Sequence, residues 1–151
     1  MTLEHHRQLI TWAADCAEHV LPLVEDFGTD DRLTHALEVA RAWARGEVLV
    51  GTAQKASLGA HAVAREASSP TATAVARAVG QAVATAHMAD HSLGGALYAL
   101  KAVKAAGGST DLEYRWQLEQ LPLELKEPVL SALQAPRFKN FSRVAFEHSK
   151  K

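Results

Sequence analysis

Between Ala53 and Ala106 alanine recurs at almost every turn of a helix, in phrases such as VAREASSPTATAVARAVGQAVATAH. Alanine loses no side-chain entropy on entering a helix and is the best helix former. Long alternating β-branched runs, the mark of strands, are absent. The expected fold is therefore all-α: a single compact alanine-rich bundle of about six or seven helices. With aromatic residues at only 6%, the helices present small faces. Their axes can then approach toward the near end of the usual ~8–10 Å range. Each alanine buries little area, so stability has to come from many close contacts.

The breaks are readable one by one. A first helix from Leu3 to Leu21 carries Leu9, Trp12, Ala13, Cys16, Ala17, Val20 and Leu21 on one stripe, and Pro22 ends it. Asp30 and Asp31 suit the start of a second helix, and Gly46 suits its left-handed cap. A third runs from Thr52 to Ala67. Ser69 and Pro70 then cap and open a fourth, which is expected to continue to Asp90. Its small face is Ala72, Ala76, Gly80 and Ala84. Ser92 is the expected cap of a fifth helix that stops at Gly107-Gly108. Ser109 or Thr110 caps a sixth, with Leu112, Trp116 and Leu118 facing inward, and a seventh follows Pro122 with an interruption at Pro128.

At 151 residues the chain suits one domain, read as 1–135 with a basic tail at 136–151. In that tail Phe138, Phe141 and Phe146 stand among Arg137, Lys139, Arg143, Lys150 and Lys151. Docking of the phenylalanines on the domain is the favoured reading over contact with nucleic acid. Sixteen basic and seventeen acidic residues leave a formal charge of -1, so the molecule as a whole has no field suited to a polyanion. No apolar run reaches the roughly 18 residues of a membrane span. The N-terminus lacks the pattern of a signal peptide, and the lone Cys16 excludes an internal disulfide. The expectation is a cytoplasmic protein bound to neither nucleic acid nor membrane.

Chemistry has few footholds. His87 and His91 stand four apart, a spacing that puts two imidazoles on one helix face as a metal ion requires, though the glutamate of an HExxH motif is missing. Cys16 and His19 share a face of the first helix, and together the four would make a zinc site if the two helices met. The ordinary reading of the histidines is hydrogen bonding near a helix end, and that of Cys16 is a buried inert thiol. No catalytic set is expected. Glu18, Glu25, Asp26, Asp30 and Asp31 cluster at the first interhelical turn, where they can steer a basic partner or simply cap and solvate.

Four phrases, in order, carry more than composition: WAADCAEHVLPLVE at 12–25, ARAWARGEVLVGTAQKA followed by AHAVAREASSP at 40–70, QAVATAHMADHSLGGALYALKAV at 81–103, and YRWQLEQLP at 114–122. Across residues 9–133 the chain resembles the bacterial putative immunity protein family whose domain is similar to immunity protein 5 of polymorphic toxin systems. The resemblance implies a small helical protein that binds and neutralises a cognate toxin, with no catalysis and no cofactor of its own. Two alternatives stand beside it: a zinc-type metal protein or enzyme using His87 and His91, and a structural module that forms a homodimer through its small-residue faces.

Overall fold

A computed structural model describes residues 1–25, 30–136 and 144. Seven α-helices follow one another among these residues: α1 (Leu3–Val20), α2 (Asp31–Ala44), α3 (Val50–Glu66), α4 (Pro70–Ala84), α5 (His91–Ala105), α6 (Thr110–Gln120) and α7 (Leu123–Ala132). A short 3-10 turn, Leu21–Leu23, follows α1 around Pro22.

The centre of the bundle is α4. Ala72, Ala74, Val75, Ala76, Ala78, Val79, Gly80, Ala82 and Val83 are all buried, so α4 is apolar almost all the way round, as a helix enclosed by others must be. It packs most closely against α5 and α3, and also touches α1 and α2. The α1 stripe read from the sequence faces this core, with Ala13, Cys16 and Ala17 fully buried. Val144 also packs into the core. The phenylalanines and charges assigned to the tail, together with Asp26, lie outside the described residues.

Most caps follow local chemistry. Thr2, Asp30, Ser69 and Ser109 each accept a backbone N–H of the helix they open. Gly46 (φ 76°) and Gly107 (φ 82°) take the left-handed conformation just past α2 and α5. There Glu47 N–H bonds to Ala42 C=O and Gly108 N–H to Val103 C=O, both at 2.9 Å, the bond that closes a Schellman end.

Four expectations need correction. The fourth helix ends at Ala84, not Asp90. Thr85, Ala86 and His87 donate three residues back, to Ala82, Val83 and Ala84, so the chain tightens into 3-10 turns. Meanwhile His6 of α1 donates Nε2–H to the Thr85 carbonyl at 2.5 Å, an end group with no helical partner. The fifth helix is preceded by Asp90 rather than capped by Ser92, which is buried inside it. Leu112 points outward at 65% exposure, because α6 turns Gln117 to the core: its Nε2–H donates to the Ala96 carbonyl at 3.0 Å, and its own carbonyl accepts the Trp12 indole N–H at 2.7 Å. Pro128 sits within α7 without ending it.

Candidate functional site

His87 lies in the turn after α4, and His91 is the first residue of α5. The helical face that their spacing predicted is therefore not formed. They turn to different glutamines: Gln54 Nε2–H donates to His87 Nδ1 at 3.1 Å, and His91 Nδ1–H donates to Gln81 Oε1 at 2.7 Å. Burial and the neighbouring His87 hold His91 below the ordinary histidine range, against an opposing pull from Asp90.

His19 belongs to another junction, between α1 and α6, and Cys16 stands one turn before it on α1. His19 Nδ1 sits 2.6 Å from Glu113 Oε2, and its ring stacks on Trp116 with centroids 3.6 Å apart. Cys16 has no exposed surface. Burial, helped by Asp15 and Glu113, pushes its thiol well above the usual range, which suppresses the thiolate that nucleophilic or metal chemistry requires. The four candidate ligands thus stand as two separate pairs. Among the described residues, no group of three or more His, Cys, Asp or Glu side chains is arranged to hold a metal ion.

The acidic cluster is spread along the edge where α1 ends and α2 begins, and two of its members have work inside the molecule. Glu18 accepts from Arg41 at 2.9 Å, and Asp15 takes the same guanidinium nitrogen at 2.9 Å, tying α1 to α2. Asp30 accepts the Arg32 backbone N–H, and Arg32 reaches across to Glu66 of α3 at 2.8 Å. Glu25 and Asp31 are exposed. Ion pairs this open contribute little. Glu18→Gln is expected to change unfolding free energy by less than about 0.5 kcal/mol, read by urea titration, so a binding effect at this edge can be measured without a folding effect.

Neither His61 nor Arg77 is among the residues singled out from the sequence, yet between α3 and α4 His61 lies over Gly80 and meets Arg77. The signal was a glycine inside an alanine-rich helix, which costs about 1 kcal/mol against alanine unless something needs its space.

The family model described as Imm-5 like putative immunity protein matches residues 1–124. The chain belongs to this family. The match takes in α1 to α6, and so covers the whole central stack. It starts earlier than the resemblance at 9–133 and ends near the start of α7. No curated protein and no solved structure matches the chain. No helix among the described residues is long and apolar enough to cross a membrane.

Proposed function

We propose that this member of the Imm-5 like family is an immunity protein that binds a cognate toxin protein and blocks it, with no catalysis of its own. The observation that carries the reading is the family match across residues 1–124. The architecture supports it, since a stack of small, closely packed faces makes a rigid scaffold and leaves recognition to the outer surface.

The acidic edge is the proposed contact. Glu25 and Asp31 project from it, and like-signed charges at a rim steer a basic partner and raise its association rate. The test is co-expression with a toxin whose gene is found beside this one in the native genome, together with a direct binding measurement. The chain is expected to restore growth and to form a complex. The pair Glu25→Lys and Asp31→Lys should slow association about tenfold at low salt while leaving dissociation nearly unchanged. A toxin that neither binds the chain nor is relieved by it overturns the immunity reading. A complex indifferent to these charge reversals overturns only the choice of edge.

A further inference from the structure

Where α3 crosses α4, two polar contacts interrupt an apolar seam. The His61 ring lies flat against Gly80: a Cβ at that position would stand 2.7 Å from ring atoms Cε1 and Nε2 and 2.9 Å from Nδ1. Glycine is what gives the ring its place. From the preceding turn of α4, Arg77 NH1 reaches His61 Nδ1 at 2.7 Å. A guanidinium only donates, so Nδ1 is the acceptor and the ring is neutral, with its proton on Nε2. One turn back along α3, Ser57 Oγ–H donates to the Gly80 carbonyl at 3.0 Å. The seam is thus fastened on both sides of Gly80, once by a hydroxyl and once by the imidazole.

The charged surroundings of His61 are cationic or neutral. Arg77 faces it from α4, Arg65 from its own helix, and His91 from α5. His87 and Asp90, ahead of α5, face His91 rather than His61. Arg77 and Arg65 carry fixed positive charge, and no carboxylate stands among the groups that act on His61.

We propose that the His61–Arg77 contact over Gly80 is an acid-labile latch, which holds α3 on α4 while His61 is neutral and releases it when His61 takes up a proton. Protonation places a hydrogen on Nδ1, where Arg77 already donates, and turns an accepted hydrogen bond into two cations in contact. His91 behaves differently. Its Nδ1 already donates to Gln81, and that bond survives protonation. His87 accepts from the Gln54 amide, which can turn its oxygen to a new proton, whereas the Arg77 guanidinium has no acceptor to offer His61.

Burial, then Arg77, then Arg65 lower the proton affinity of His61 below the ordinary histidine value. The unfolded chain therefore binds the proton more readily than the folded one. The stabilisation is fully present above the unfolded histidine value, about 6.5, and is lost as pH falls through the lower folded value.

The test follows the histidine rings by NMR, and α3 amide exchange in parallel, from about pH 8 to about pH 4.5 on the full chain. His61 is expected to titrate below the ordinary value. Opening of α3 should rise up to tenfold for each unit of that depression. His61→Asn keeps an acceptor for Arg77 but cannot titrate, so its exchange should change less than about twofold more than the remaining histidines require. Arg77→Met should move the His61 titration upward. A wild-type His61 that titrates at or above the ordinary value overturns the latch, as does an α3 opening profile in His61→Asn parallel to the wild type. Should His61→Asn fail to fold, the Arg77→Met titration decides: an unmoved His61 overturns the proposal.

Discussion

Trp12→Ala is expected to be among the most damaging single changes in this protein, lowering stability by about 4 kcal/mol. Trp12 is 2% exposed and fills the space where α1 meets α6. Large aromatic truncations in a core cost about 3–5 kcal/mol, because transfer energy is lost and the neighbours close the gap only in part. A second loss is specific to this site. The indole N–H donates to the Gln117 carbonyl, which lies in the last turn of α6, where the next residue able to reach it, Leu121, bonds instead to Leu118. Without the indole this carbonyl is left buried and unpaired, which accounts for about 1–3 kcal/mol of the whole loss. Gln117 also holds Ala96 of α5, so the damage spreads over three helices. Trp12→Phe keeps much of the bulk and loses only the donor, and should cost about 1–3 kcal/mol. Urea unfolding separates the two: at an m of about 2 kcal/mol/M, Trp12→Ala should lower the midpoint by roughly 2 M with little change in slope. A midpoint shift below about 0.5 M would show that α1 and α6 are not fastened here.

The features legible in the sequence were those written locally. Ser69-Pro70 caps and starts α4 because a hydroxyl and a fixed φ act on the next turn alone. Gly46 ends α2 for the same kind of reason. The α1 stripe from Leu9 to Val20 was readable because one side of that helix meets the core and the other meets solvent. What failed were decisions made by distant residues. Every residue of ATAHMAD can continue a helix, yet α4 stops at Ala84, where His6 takes the Thr85 carbonyl from 79 positions away along the chain. Leu112 read as core, and Gln117 displaced it, because the two partners that satisfy a buried amide and carbonyl belong to α5 and α1.

The candidate site divides the same way. An acidic cluster shows in composition, but its capture of Arg41 and Arg32 depends on how α1, α2 and α3 are set side by side. The shared helix face expected of His87 and His91 assumed one continuous helix, which the turn after Ala84 interrupts. His61 stood unremarked because its meaning lies in the register of α3 against α4, which brings it over the one residue of α4 without a side chain. The family match survives these local errors, since it rests on the order of many segments and not on any single contact.

Gly95→Leu is expected to cost about 3 kcal/mol or more, through overpacking where α5 meets Ala13 of α1 and Ala82 of α4. A Cβ on Gly95 would meet the Ala13 Cβ at 3.4 Å and the Ala82 backbone N and Cα at 3.4 and 3.5 Å. The Ala82 atoms are backbone and cannot turn aside as a flexible side chain would. A single methyl just fits. Gly95→Ala should therefore fall within about 1 kcal/mol of the wild type, its contact strain set against the gain in helix propensity. Leucine adds three more carbons with no space to enter, and it can be housed only by moving α1 or α5 off α4. Gly59 supplies the contrast within the same molecule. It also lies inside a helix, but nothing stands within 4 Å of its would-be Cβ, so Gly59→Ala should stabilise by up to about 1 kcal/mol. Thermal and urea unfolding of the three variants measure the difference. If Gly95→Leu were as stable as Gly95→Ala, the small faces would not be setting the helix spacing, and alanine would serve here only as a helix former. A large loss confined to leucine instead ties the alanine content of the chain to the distance between its axes.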